Sequence, residues 1–265
     1  MGAVPVDLTA ARAAVEVAAS QAADLVRSLP DPSVQVPGLD WTVGQTAAHL
    51  VAAARVYPHY ATGQLTPEAT IDLAEGNLQR IAQVGDHGLG ELADLLVAET
   101  QRLLEQTADL APDHRVAFHG DTTLNLAAQT SILLGEYLVH GLDLARSARR
   151  PWPIDQGHAR LVIAGATALL PRYLDPAAAR GVTVGYDVRI RGGPRFGLRV
   201  TDGAATVESG PVGPVDCHIS ADPVAFLIVA YGRGSQWPPI LGGKIIAWGR
   251  KPWRALGFTR LLVNP

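Results

Sequence analysis

Glu136 and His140 stand four residues apart in LLGEYLVHGLDLARS, residues 133–147. On a helix that spacing places both side chains on one face, a turn apart, where they can converge on a single point. Leu133, Leu134, Leu138 and Leu142 recur at helical spacing in the same stretch, so one stripe of it is expected to be buried. A carboxylate and an imidazole in so apolar a helix suit a metal cation, which offsets the cost of burying charge. A catalytic zinc ordinarily takes three protein ligands and keeps one position open. His49, flanked by Ala48 and Leu50 in the nearly uncharged TVGQTAAHLVAAA, is the natural third ligand. His49, Glu136 and His140 then form a two-histidine, one-carboxylate set drawn from two helices, a common way for bundles to build metal sites. The same set serves non-haem iron, although nothing else in the sequence points to oxygen chemistry. Spacing alone leaves plainer readings open. A histidine on an apolar helix is more often a satisfied core residue, and Glu–His at i,i+4 is often a surface pair. E-x-x-x-H is a far weaker pattern than H-E-x-x-H.

The elements that must position these residues are helical up to about residue 150. Residues 7–29 carry Leu8, Val15, Ala22, Leu25 and Leu29 on one stripe, and Pro-Asp-Pro at 30–32 ends it. Thr42 followed by Gln45 is a capping-box spacing that opens the helix bearing His49. Thr66 and Pro67 read as the cap and first position of a third helix closing at Gly85. Residues 89–107 and 123–148 supply two more long amphipathic stretches. Long helices with short connections predict an antiparallel bundle. RRPWP at 149–153 breaks the pattern and marks the domain boundary, dividing the chain into 1–150 and 151–265. A helix over about 155–174 follows, and then the hydrophobic period changes to two. Residues 182–210 read as three strands with turns at GGP and DG, VDCHISA as a fourth and KIIAWG as a fifth. DPVAFLIVAYGR reads as a capped helix and PWRALGFTRLL as a closing one, so the expected class is α+β.

Bulk properties bound the function. The chain has 265 residues with 48% hydrophobic and 18% charged content, enough for packed cores. A net charge of −3 gives no global attraction to nucleic acid or anionic lipid. No segment reaches the ~20 apolar residues needed to cross a bilayer, and the N-terminus lacks signal-peptide character, so a cytoplasmic location is expected. A single cysteine, Cys217, excludes an internal disulfide and a cysteine-based zinc cluster.

LDWTVGQTAAHL together with LGEYLVHGLDLARS resembles the mycothiol-dependent maleylpyruvate isomerase family, whose N-terminal domain is a DinB-like helical bundle. Trp41, Thr42, His49, Glu136, His140 and Asp143 occupy that family's motif positions. The resemblance covers about the first 150 residues and implies that His49, Glu136 and His140 hold a zinc ion or another divalent metal, with mycothiol as cosubstrate. FGLRVTDGAATVESG, CHISADPVAFLIVAYGR and GGKIIAWGRKP resemble the sterol-carrier-like domains attached to such bundles. Arg233 falls where the isomerases carry an arginine reaching towards the active site. This half leans towards the generic sterol-carrier pattern, which separates the chain from maleylpyruvate as a fixed substrate.

The chemistry implied is thiol activation. A thiol entering the open position of such a metal loses its proton, giving a thiolate near neutral pH where a free thiol of pKa ≈ 8.5 is mostly protonated. Attack of that thiolate on a small electrophile permits isomerisation, conjugation or thiol transfer, and the sequence does not choose among them. Asp143, a turn beyond His140, can take the second ring N–H of the histidine or contact the thiol; otherwise it is a solvent-facing partner of Arg146 or Arg149. Arg233 can fork onto a substrate carboxylate; otherwise it serves the end of its helix. The alternative function is a non-catalytic binding protein holding an apolar ligand in the second domain. Either form is expected as a monomer or homodimer. Asp187, Arg189 and Arg191 alternate with Val188 and Ile190 as a solvated strand face. His119 reads as a loop histidine, Cys217 and His218 point to opposite sides of a strand, and Trp237, Trp248 and Trp253 are expected to pack the second domain.

Overall fold

The computed structural model describes residues 2–211 and 213–263. Two compact units emerge: one runs from Asp7 to Ile154, and the other begins at Asp155 and includes residues 2–6. The class is α+β, with helices first and a mixed sheet second. No described helix is long and apolar enough to cross a membrane.

In the helical unit, α1 (Leu8–Arg27) is capped by Asp7, and its Leu8–Val15–Ala22–Leu25 stripe is buried as the period predicts. Its many alanines let α4 (Leu89–Gln106) and α5 (Leu126–Ser147) approach closely. The fourth wall is α2 (Val43–Ala61), packed on both α4 and α5. α3 (Ala74–Val84) lies against α2 and ends at Gly85, whose φ of 96° suits glycine. This helix starts seven residues later than Thr66 and Pro67 suggest. The intervening segment is held in another way: the Glu68 carbonyl accepts the Gly120 N–H at 2.9 Å, and the Glu68 side chain pairs with Arg80 and His119. Tertiary partners override the local cap. Gly120 belongs to a hairpin of β1 (Arg115–Phe118) and β2 (Thr122–Asn125), which takes the first residues expected in α5. Asn125 then caps α5, accepting the Ala128 N–H at 2.8 Å.

In the second unit, α6 (Gln156–Ala166) stops well before residue 174. Thr167 turns its hydroxyl back to the Ala164 carbonyl at 2.6 Å and accepts the Val4 N–H at 3.0 Å. The sheet comprises β3 (Thr183–Ile190), β4 (Arg195–Thr201), β5 (Ala204–Ser209), β6 (Cys217–Ala221) and β7 (Ile245–Trp248), ordered β5-β4-β3-β6-β7. The β3–β6 pair is parallel and the others are antiparallel. Val184, Tyr186, Val188 and Ile190 share a buried face with Phe196, Leu198, Val200, Cys217 and Ile219. Phe226 and Leu227 of α7 (Pro223–Ala230) and Phe258 are buried with them. A short α8 (Trp237–Leu241) precedes β7. The expected closing helix is instead two 3₁₀ turns, Pro252–Gly257 and Thr259–Leu261, because the Leu261 carbonyl and Val263 N–H bond back to residues 175 and 173.

Two readings of this unit are corrected. Asp187 is not on a solvated face: it is fully buried, bonded by Arg189, Arg195 and His218. Gly197 lies opposite it in register and brings no side chain to that face. Trp237, Trp248 and Trp253 do not fill the core, since they remain 53%, 40% and 62% exposed. Cys217 and His218 do face opposite ways, with Cys217 buried in the core.

Candidate metal centre

His49 is positioned by the entry to α2. Thr42 accepts the Gln45 N–H while Gln45 accepts the Thr42 N–H at 2.9 Å, the reciprocal cap expected from the spacing. The preceding loop is pinned by Val36 N–H to the Trp41 carbonyl and Val43 N–H to the Val34 carbonyl. That brings the Trp41 ring to 4.7 Å from His49 and 5.9 Å from His140, centroid to centroid.

Glu136 and His140 are positioned by the rotation and height of α5. Gln129 donates to the Tyr57 carbonyl of α2 at 3.0 Å, and the buried Tyr137 hydroxyl bonds Thr100 of α4 at 2.7 Å. Trp152 returns from beyond the helix to donate to the Leu138 carbonyl at 2.9 Å, so RRPWP packs back on the bundle.

The three predicted side chains meet. Glu136 Oε2 lies 3.2 Å from His49 Nε2 and 3.4 Å from His140 Nε2. One donor atom from each residue lies within 4.8 Å of the others. A tetrahedral ion with bonds of about 2.1 Å needs donors about 3.4 Å apart, and the two spacings to Glu136 Oε2 match that value. Both histidines are buried, and the Glu136 side chain is 27% exposed. Asp143 joins them: its Oδ2 lies 3.2 Å from His140 Nδ1, and it is buried, so the solvent-facing alternative does not occur. With Nδ1 engaged by a carboxylate, Nε2 of His140 is left as the ligating nitrogen.

Burial disfavours charge throughout this cluster, and partners decide the outcome. Desolvation holds His49 below the ordinary histidine value, aided by the charges of His140 and Arg80 and opposed by Glu136. His140 goes the other way: burial lowers it, but Asp143 and Glu136 together raise it above the ordinary value. Burial also opposes ionisation of Glu136, yet the two imidazoles outweigh it and hold the carboxyl well below the usual range. The result is an ionised carboxylate between two imidazoles, a donor set able to hold zinc or another divalent metal.

Sequence reasoning missed an adjoining polar cluster. Arg80 of α3 bonds Glu68 and also Asn77 at 2.9 Å, and Glu68 Oε2 lies 2.9 Å from His119 Nδ1 and 3.4 Å from the Tyr60 hydroxyl. His119, expected as a loop residue, is at the hairpin turn but buried. No local pattern announces this cluster, because its members come from three elements and one irregular segment. Arg233 belongs to the second unit; its Nη1 donates to the Tyr231 carbonyl at 2.9 Å, just past the end of α7.

Comparison with known proteins agrees with this architecture. A solved structure described as the mycothiol-dependent maleylpyruvate isomerase superposes with a TM-score of 0.55 at 14% identity, covering 91% of this chain and 93% of that one. A histidine-to-alanine mutant of that isomerase gives 0.56 at 15% identity over the same shares. At such identity the likeness speaks for the fold. No curated protein matches by sequence. The family model for the mycothiol maleylpyruvate isomerase N-terminal domain matches residues 15–145, the span that carries Trp41, His49, Glu136, His140 and Asp143. Residues 15–145 thus belong to the mycothiol maleylpyruvate isomerase N-terminal domain family.

Proposed function

We propose that this protein is a mycothiol-using metalloenzyme, an isomerase or S-transferase acting on a small electrophile, with zinc or another divalent ion held by His49, Glu136 and His140. The observation that carries the reading is the convergence of these donors on Glu136 Oε2, at 3.2 and 3.4 Å. A divalent ion bound there supplies a Lewis acid able to keep a small thiol deprotonated near neutral pH. The chain's own side chains do the positioning. Asp143 holds His140 in the tautomer that presents Nε2. Trp41 covers the two imidazoles on one side and limits water there. Arg233 Nη1 donates to the Tyr231 carbonyl at the end of α7, and its expected role of forking onto a substrate carboxylate stays part of this proposal.

Metal analysis of the purified wild type is expected to give about one divalent ion per chain, against near none in a His49→Ala/His140→Ala variant. Metal retained by that variant would overturn the site. Mycothiol added to a cobalt-loaded sample is expected to shift its visible spectrum by sulfur coordination. A second reading, a sterol-carrier-like protein holding an apolar ligand, draws on a cleft of about 400 Å³ in the second unit, whose lining mixes Val229, Trp237 and Leu262 with Ser235, Gln236 and Arg260. An unchanged cobalt spectrum at saturating thiol would put that reading ahead.

A further inference from the structure

The second unit carries charge that its core does not need. On the face of the sheet opposite the hydrophobic core, Asp187 lies in one row with Gly197, His218 and Trp248, on four neighbouring strands. Arg189, Arg195, Ser220 and Ile246 form the next row. Asp187 is fully enclosed by its neighbours. Its Oδ1 accepts Arg195 Nε at 2.8 Å, and its Oδ2 takes Arg189 Nε at 2.9 Å and His218 Nδ1 at 2.8 Å. Nη2 of each arginine also reaches Oδ2, at 2.8 Å for Arg189 and 3.2 Å for Arg195.

Five N–H groups on one carboxylate exceed its roughly four acceptor positions, so Asp187 is saturated. It anchors the two guanidinium groups through Nε and Nη2, which leaves each Nη1 turned away from the anchor. The two side chains remain 43% and 45% exposed. Two permanent positive charges against one negative leave a net cationic surface whatever the state of His218. Among the described residues, Glu208 of β5, across from Gly197, is the only other carboxylate on this row, and no ion pair joins it to either arginine. The arginines are thus fixed in advance, and the entropy of ordering two long side chains has already been spent before any ligand arrives.

Beside the cations stands apolar surface. The Trp248 indole stacks on His218 at 5.2 Å and 14°, and Arg189 lies 5.5 Å over the same indole. Ile246, on the same face, is 49% exposed. From β3 to β7 is two strand spacings, ~10 Å, enough to lay a small flat body between the arginine pair and Ile246.

We propose that this sheet face is a binding site for a small carboxylic acid with a flat apolar body, its carboxylate taken by the outward N–H groups of Arg189 and Arg195 and its body laid along Trp248 and Ile246. Asp187 is the positioning residue that holds the pair. The site stands apart from the metal-ligand reading, since none of its residues belongs to the helical unit.

Benzoate serves as the probe, titrated calorimetrically into the full chain. Saturable binding is expected in the wild type and, unchanged, in His49→Ala/His140→Ala. Arg189→Gln is expected to weaken it at least tenfold, and Trp248→Leu, at an exposed position, severalfold. The Trp248→Leu variant keeps the test decisive should Arg189→Gln fold poorly. No saturable binding to the wild type, binding indifferent to both sheet variants, or binding abolished by loss of the metal ligands would each overturn the proposal.

Discussion

Asp143 Oδ2 and His140 Nδ1 lie 3.2 Å apart with both side chains buried, so the carboxylate dictates which ring nitrogen faces Glu136. Asp143→Asn keeps the shape but can no longer enforce that tautomer. Metal affinity is expected to fall by about 10–100-fold, read by competition with a chromophoric chelator. An affinity equal to wild type would show that the contact does not orient the ligand.

Gly141, between His140 and Leu142 on α5, lies beneath the Trp152 ring. A Cβ there would meet Trp152 Cζ2 at 2.2 Å and Cε2 at 2.6 Å. Gly141→Ala must therefore push the indole out and stretch its bond to the Leu138 carbonyl. A loss of about 1–3 kcal/mol is expected from this overpacking, measured by chemical denaturation. Unaltered stability would mean the ring gives way freely.

Cys217 is enclosed in the sheet core, and burial pushes its thiol up to about 11. Thiolate is the reactive species, so iodoacetamide at pH 8 is expected to leave the native protein unmodified and to label it fully after unfolding. Mass spectrometry reads the difference. Rapid native labelling would place the thiol outside the core.

Burial opposes ionisation of Asp187, but Arg195, Arg189 and His218 together hold it well below the usual carboxylate range. A depressed folded value stabilises the native state above the unfolded value of ~3.9, and that contribution is lost as pH falls towards the folded one. Asp187→Asn is expected to cost about 1–3 kcal/mol at neutral pH. The gap to wild type should persist down to about pH 4 and shrink on further acidification. Denaturation midpoints at pH 3 and pH 7 test it; a gap constant between them would contradict the assignment.

Much of the bundle was legible because its signals are local. The Thr42–Gln45 box and the leucines around Glu136 each lie within three helical turns. Convergence of His49 with Glu136 spans 87 positions and was reached through the family motif; spacing alone left it open. Illegible features depended on distant partners. Thr66 and Pro67 carry a sound cap signal, but Gly120 and Arg80 claim Glu68 first. Asp187 and Arg189 alternate with apolar residues as any wet strand does, and only Arg195 and His218 on neighbouring strands reveal the burial. The hairpin at 115–125 is too short for periodicity to register.

Residues 2–6 have a consequence out of proportion to their number. The Gly2 carbonyl accepts the Ser209 N–H at 3.1 Å, and the Val4 N–H reaches Thr167. Along the chain the helical unit is therefore an insertion, with residues 2–6 before it and the body to which they return after it. Synthesised before the helical unit, this segment has no docking partner until β5 has been made some two hundred residues later. A single protease cut near residue 154 would strand it on the wrong fragment, so excising the sheet unit cleanly requires two cuts and a rejoining.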